Sequence, residues 1–273
     1  MKKPNIQIQI LTVGYSNQEP INYQDNMLFE IGAQISGQIN IQPVKQNPFS
    51  CEQITIGVIG KMHGSKVQDA EFFNDTTELV KQFTYDQQNT SVQFQLTLEL
   101  PASSHFNKKG SIDYYILVKT YFKQQVFTET KLPIQYKKTS LLIKKMQAPL
   151  CFLVNKPSYQ LYLQSDQSIY NQNDVIQGTI HFLSQQNEIT DLELKLFKFE
   201  QYNQQKEILT LATILLCDSL KSSQEIPFCL PLGAFQLPQT LSFGQIQIQT
   251  KLGLSYLVGD KKEEVAVEVV MRE

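Results

Sequence analysis

The sequence predicts an all-β protein made of two β-sandwiches in tandem, and three observations support this. A motif of the form aromatic, polar turn, Ile-x-Gly-x-Ile is present twice, at residues 29–41 and 170–182, with a constant offset between matched positions. After each copy, apolar and polar residues alternate, which is the period of a strand with one buried face. The chain has 273 residues, of which 41% are hydrophobic, which is enough for two modules of about a hundred residues each.

The repeated motif predicts equivalent strands in the two modules. Its isoleucines are Ile35 and Ile39 in the first copy and Ile176 and Ile180 in the second, and we expect all four to be buried. A glycine lies between each pair, which indicates a strand position where a close neighbour or a bulge excludes a side chain.

The first module is predicted to extend over residues 1–138. Loops are expected at 14–25 and 43–50, and residues 66–88 have weak periodicity and many charges, which predicts a long loop with an irregular strand. Gly60 and Gly64 are expected to end the third strand. The predicted strands are 6–10, 35–41, 54–58, 92–100, 112–118 and 126–136.

A linker is predicted at residues 139–156, followed by a second module at 157–273. Residues 150–154 are apolar enough for a short strand near the junction. Four lysines lie between positions 137 and 145, and a solvated linker explains them better than contact with anionic lipid. In the second module a polar tip is expected at 218–224, and the predicted strands are 161–163, 176–182, 192–197, 208–216, 226–232, 246–254 and 265–270.

Composition argues against several functions. The net charge of −2 argues against nucleic-acid binding, which normally requires an excess of positive charge. The four cysteines have no C-x-x-C spacing, which favours reduced thiols in a cytoplasmic protein. No apolar run reaches the length of a membrane span, so any membrane role is expected to be peripheral and to depend on partners.

Signals for catalysis or cofactors are weak. His63, His105 and His181 lack a mutual spacing suited to a metal. Residues 57–66 contain three glycines and two lysines but not the order of a phosphate-binding loop, and a hairpin turn explains them better. No G-x-S-x-G motif occurs. We therefore expect no metal, no cofactor and no enzymatic activity.

The repeated motif, the Leu-Glu-Leu-Pro segment at 98–101 and the strand beginning at 110–115 resemble the arrestin fold. The order of motifs is most similar to the arrestin-like subunit of retromer, the endosomal sorting coat. The matching segments in the first half are 28–37, 51–60 and 78–81, and those in the second half are 170–182, 189–200, 225–232 and 235–240. The resemblance covers nearly the whole chain and implies two tandem arrestin-like β-sandwich modules.

The same resemblance implies a non-enzymatic scaffold that is cytoplasmic and peripheral on endosomes. Its partners would be a helical-solenoid subunit of the coat, together with sorting nexins or cargo tails. The alternatives are the arrestin-like subunit of the retriever (Commander) complex, which shares these motifs, and a free arrestin-domain adaptor that binds receptor tails. An enzyme on a sandwich scaffold is a third possibility, which the missing nucleophile–base pair disfavours.

Two candidate binding sites follow. In the retromer family the solenoid subunit docks on the loop before an Ile-Pro strand, which corresponds here to Leu216, Cys217, Asp218, Ser219 and Leu220; the alternative is that Leu216 finishes a core strand. The second candidate is an edge strand whose unpaired backbone would accept an extended cargo peptide, unless it is fully paired within the protein. Its residues are Leu150, Cys151, Phe152, Leu153 and Val154.

Overall fold

The structure is a computed structural model that describes residues 3–15, 19–22, 24, 27–42, 49–85, 90–138, 149–184, 188–220 and 224–272. The described residues form strands and turns without a helix. The chain separates into two compact units, Met1–Thr139 and Ser140–Glu273. The all-β prediction is confirmed.

The first unit contains two sheets, with strand orders β2-β1-β4-β7 and β3-β9-β8-β5-β6. Its strands are β1 (Asn5–Gly14), β2 (Ile21–Asn22), β3 (Leu28–Glu30), β4 (Ala33–Gln42), β5 (Phe49–His63), β6 (Ala70–Tyr85), β7 (Thr90–Leu98), β8 (Ser111–Phe122) and β9 (Gln125–Lys137).

The second unit repeats this arrangement, with strand orders β10-β11-β13-β16 and β12-β19-β18-β14-β15, and with β17 paired to β18. Its strands are β10 (Cys151–Lys156), β11 (Tyr159–Ser165), β12 (Ile169–Asn171), β13 (Val175–Ser184), β14 (Ile189–Tyr202), β15 (Gln205–Leu220), β16 (Gln224–Pro231), β17 (Leu241–Phe243), β18 (Ile246–Val258) and β19 (Lys261–Arg272).

The two units share one topology in eight of their strands, whereas β2 follows its partner β1 in the chain, β10 precedes its partner β11, and β17 has no counterpart. In the smaller sheets, β1-β4-β7 corresponds to β11-β13-β16. In the larger sheets, β3 and β12 begin the order and pair in parallel with β9 and β19 respectively. The four motif isoleucines lie in β4 and β13 and are fully buried. The predicted duplication and the burial of these residues are therefore confirmed.

The motif glycines have matching surroundings in the two units. Gly37 lies opposite Phe94 across the β4–β7 pair, and Gly178 lies opposite Phe228 across β13–β16. A Cβ atom added at either glycine would overlap a backbone carbonyl oxygen on the other side and lie 2.6 Å from Cζ of the phenylalanine. Both rings are at least 94% buried, so each glycine makes room for an aromatic ring that covers it.

Three elements differ from the sequence-based expectation. Residues 70–85, expected to be mostly loop, form the long strand β6. It pairs with β5 and exposes residues on both faces, which explains its missing periodicity. Strand β5 continues through Gly57 and Gly60 to His63, so the expected end at Gly60 is wrong. A Cβ at Gly60 would lie 2.8 Å from ring atoms of Phe72 and of Tyr114, so this glycine also accommodates covering aromatic rings.

The linker expected at residues 139–156 is described only in its C-terminal part. Residues 139–148 lie outside the described residues. Residues 151–156 form β10, which pairs with β11 along its whole length. The expected polar tip also differs, because β15 continues to Leu220.

We predict that Gly178→Ala destabilises the second unit by about 1–3 kcal/mol, because the new methyl group would overlap the Gln164 carbonyl oxygen and the Phe228 ring. Chemical unfolding followed by circular dichroism measures the change.

Gly233→Ala is the matched control, since its nearest neighbour would be 3.5 Å from the added Cβ and its φ is not in the left-handed region. Adding Phe228→Leu to Gly178→Ala should recover part of the loss. Equal stability of the two alanine variants would contradict this account of the glycine.

Candidate partner-binding surfaces

The first candidate surface is the C-terminal end of β15, residues 216–220. The expectation of a loop is wrong, since these residues pair with β14 from Leu192↔Cys217 to Ile189↔Leu220. Leu216 is the extra residue of a β-bulge between the pairs Glu193↔Leu215 and Leu192↔Cys217. On the facing strand, Asp191 adopts a positive φ of 51°. The pair of strands is therefore distorted at this end, as is common where an edge strand turns a side chain outward.

The five side chains of this surface differ in accessibility. Leu216 and Cys217 are half-buried against the core of the second unit, and Leu220 is buried. Asp218 and Ser219 are exposed, and the Ser219 hydroxyl donates to the Glu188 carboxylate. Burial raises the pKa of the Cys217 thiol above its ordinary value, which keeps it protonated and poorly nucleophilic. A partner would therefore contact Asp218 and Ser219 directly, while Leu216 and Cys217 support them.

Sequence reasoning missed the apolar character of the rest of β15. Ile208, Leu209 and Leu215 are more than half exposed. Strand β15 lies at the edge of its sheet. A sheet edge that carries exposed leucine and isoleucine is a common site of protein association. The sequence predicted a strand at 208–216 but did not indicate that its apolar side chains are exposed.

The second candidate surface is β10, which lies at the edge of the smaller sheet of its unit and, among the described strands, pairs with β11 alone. The Ser165 amide donates to the Leu150 carbonyl at 2.9 Å. Because hydrogen-bonded and non-hydrogen-bonded pairs alternate in an antiparallel ladder, Phe152 and Val154 direct their backbone groups to β11. Cys151, Leu153 and Asn155 direct theirs away from it.

The side chains of β10 follow the same alternation. Val154 is buried, and Leu150 and Phe152 pack against the core. Leu153 is 55% exposed and lies on the outer face in a row with Tyr162 and His181 of the next two strands. The Tyr162 hydroxyl donates to Cys151 Sγ at 3.0 Å. This strand offers outward backbone groups for pairing and an apolar side chain beside them.

A polar cluster fastens the β10–β11 hairpin to the larger sheet. The Tyr159 hydroxyl donates to a Glu263 carboxylate oxygen at 2.8 Å and lies 3.2 Å from the Tyr256 hydroxyl. Lys156 and Lys261 approach the same carboxylate at 3.7 and 3.1 Å. The hydrogen bond from Tyr159, supported by that from Lys261, lowers the pKa of Glu263. Burial raises the pKa of Tyr159, which therefore remains a donor.

The histidines have structural partners. His63 Nε2 lies 3.1 Å from the buried Asp113 carboxylate, which also accepts from Ser111 at 2.9 Å. His181 Nδ1 lies 3.0 Å from Glu225 on the neighbouring strand. Over the residues that the structure describes, no group of three His, Cys, Asp or Glu is placed to hold a metal ion. The same residues include no helix that could cross a membrane.

Two β-sandwiches of one topology, with candidate surfaces at strand edges, define the class of arrestin-like scaffolds. The chain matches the family model of vacuolar protein sorting-associated protein 26 over residues 5–261, and it belongs to that family. It is therefore an endosomal protein-sorting subunit of retromer type, from a family of non-enzymatic sorting scaffolds. No curated protein gives a significant match.

We predict that Glu263→Gln destabilises the second unit at pH 7 by about 1 kcal/mol, at the low end for a hydrogen bond to a charged acceptor because the site is partly open. A carboxylate whose folded pKa is lowered stabilises the protein above its unfolded pKa of about 4.3, and this contribution is lost as pH falls through the folded value. Unfolding measured at pH 7 and at pH 3 should show a larger difference at pH 7 than at pH 3.

Glu264→Gln is the neighbouring control, because that carboxylate is exposed and lies 3.7 Å from Lys195. If the stability difference for Glu263→Gln does not shrink between pH 7 and pH 3, the charge of Glu263 is not its source.

Proposed function

We propose that this chain is a cytoplasmic scaffold, peripheral on endosomes, that attaches a helical-solenoid coat subunit through the C-terminal end of β15. A second proposed role is to receive an extended segment of cargo or of a sorting nexin along β10. The observation that carries the first role is a contrast between equivalent strands. The exposed side chains of β6 include Glu71, Asp75 and Glu78, whereas those of β15 include Ile208, Leu209 and Leu215.

This contrast supports docking at β15. Since β6 and β15 occupy the same place in modules of one topology, the fold does not require that place to be apolar. Exposed apolar side chains at a sheet edge add little to the stability of an isolated sandwich. When a partner covers them, they lose their contact with water and can contribute much of the binding free energy. The bulge at Leu216 and the exposed Asp218 beyond it would then set the limit and register of the contact.

We predict that Asp218→Arg weakens binding of the solenoid subunit about tenfold or more, because it reverses an exposed charge at the proposed rim without disturbing the core. Affinity is measured by calorimetry or interferometry with the purified solenoid subunit, and folding by circular dichroism.

Asp75→Arg is the matched control, since it reverses an exposed aspartate on β6, the equivalent strand of the first unit. Unaltered affinity in Asp218→Arg, or an equal loss in both variants, would place the solenoid contact elsewhere. Co-purification of retriever subunits instead of retromer subunits from cell lysate would favour the paralogous complex, and binding of receptor tails without either would favour a free adaptor.

The role of β10 rests on the direction of its backbone groups. Cys151, Leu153 and Asn155 turn their amides and carbonyls away from β11, so an added strand could pair with all three. Leu153 lies beside them with Tyr162 on the same face, which would give a peptide one apolar contact in addition to main-chain hydrogen bonds.

We predict that Leu153→Pro abolishes binding of an extended cargo peptide, because proline removes an outward amide that the β10–β11 ladder does not use. Leu153→Ala keeps that amide and should lose only about threefold to tenfold in affinity. Fluorescence anisotropy of a labelled peptide measures both.

Equal losses in the two variants would show that the side chain alone is recognised. Retained binding in Leu153→Pro would show that no strand adds at β10. Unchanged thermal unfolding is required of each variant.

A further inference from the structure

A loop of the first unit presents an aromatic side chain to solvent. Residues 99–110 connect β7 to β8, and Phe106 within this loop is 65% exposed. Only Ile208 is more exposed among the large hydrophobic side chains described. Single apolar residues are common on protein surfaces, so the significance of Phe106 depends on how its loop is held and on the charges around it.

The loop is pinned, so the exposure of Phe106 is a property of the fold. Tyr114 exchanges hydrogen bonds with the backbone of Ala102, its hydroxyl donating to the carbonyl at 2.9 Å. Ser104 donates its amide to the Tyr136 carbonyl at 2.7 Å and accepts the Tyr136 amide on its hydroxyl at 3.0 Å. Burial raises the pKa of Tyr114, so that this donor stays protonated.

The other side of Phe106 is fixed in the same way. His105 and Ile112 exchange backbone hydrogen bonds of 3.0 and 2.8 Å. The Lys109 amide donates to Asn107 Oδ1 at 3.0 Å. The backbone on both sides of Phe106 is therefore held by hydrogen bonds.

Four lysines lie in this loop or next to it. Lys108 and Lys109 follow Phe106 after one residue, Asn107. Lys66 joins them from a neighbouring loop, since its amide donates to the Lys109 carbonyl at 2.8 Å. Lys138 lies at the base, with its amide bonded to Ser103 Oγ at 2.9 Å and its Nζ to the Pro101 carbonyl at 2.9 Å.

The acidic groups nearby leave this surface positive. Asp113 is buried and holds His63 and Ser111. Glu71 pairs with Lys61 at 4.0 Å. Glu99 lies in the loop itself and Asp69 in the neighbouring one, and both are exposed. They offset part of the charge of Lys66, Lys108 and Lys138, so a net positive charge remains.

We propose that this loop contacts the headgroup region of an anionic membrane, with Phe106 entering the interface and the exposed Lys66, Lys108 and Lys138 meeting lipid phosphates and carboxylates. An acidic protein surface would satisfy the lysines but would need a groove for a ring that projects this far. The interface of a bilayer needs no preformed groove, because an aromatic ring can enter it at any point.

The contact is weak by itself. Each lysine near an anionic surface contributes roughly a fivefold factor in partitioning, and the two exposed acids offset part of it. Such a surface can bind lipid when other members of a coat already hold the chain near the bilayer. The high effective concentration of lipid then compensates for the weak affinity of the loop. This fits a subunit of an endosomal coat and does not depend on the edge-strand proposals.

The chain contains no tryptophan, so Phe106→Trp creates a single reporter at the tip. With vesicles of phosphatidylcholine and phosphatidylserine at about 7:3 and about 0.1 M salt, its emission should shift to the blue. Pure phosphatidylcholine vesicles should give no shift. Adding Lys66→Glu and Lys108→Glu should weaken partitioning by about 25-fold or more.

Ile208→Trp is the matched control, because it places a tryptophan at a similarly exposed position in strand β15. The neighbouring Lys206 and Glu207 have opposite charges, so this position has no local excess of positive charge. No shift of Phe106→Trp on anionic vesicles would overturn the proposal, as would an equal shift for Ile208→Trp. A shift with soluble polyglutamate but not with vesicles would also overturn it and assign the surface to an acidic protein partner.

Discussion

A phenylalanine ring lying across a glycine of the next strand fixes the register of the smaller sheet in both units. Gly37 with Phe94 and Gly178 with Phe228 leave no room for a Cβ atom, so a slip by one residue would place a side chain where the ring lies. The same slip would move the flanking isoleucines from the core to solvent. This contact thus determines which face of β4 and of β13 is buried. The larger sheet of each unit packs against that face.

A repeated contact of this kind can be found in sequence because it imposes a strict pattern. Ile35, Gly37 and Ile39 recur as Ile176, Gly178 and Ile180, and both triplets lie in equivalent strands. The all-β class, the duplication and the buried faces were therefore predictable. The long edge strands were not, because β6 exposes side chains on both faces and consequently lacks the alternation that marks a half-buried strand.

The positions of the candidate surfaces could be predicted only in part, because edge strands do not impose a strict sequence pattern. Edge strands have one unpaired side, so their sequence is constrained by one neighbour. Family resemblance placed residues 216–220 at a binding site but predicted a loop, whereas the strand continues through a bulge at Leu216. Periodicity placed a strand near residues 150–154, but the outward direction of the Leu153 amide follows only from its register with β11.

Two modules of one topology also provide an internal comparison that a single sandwich cannot. Features present in both units, such as the glycine–phenylalanine contact, are needed to build the fold. Features present in one unit are free to serve binding: the apolar edge at Ile208 and Leu215 has a polar counterpart in β6. The sandwich does not require apolar side chains at this edge, and exposed apolar patches often mark association sites. This is the physical basis of the proposal that a partner covers β15.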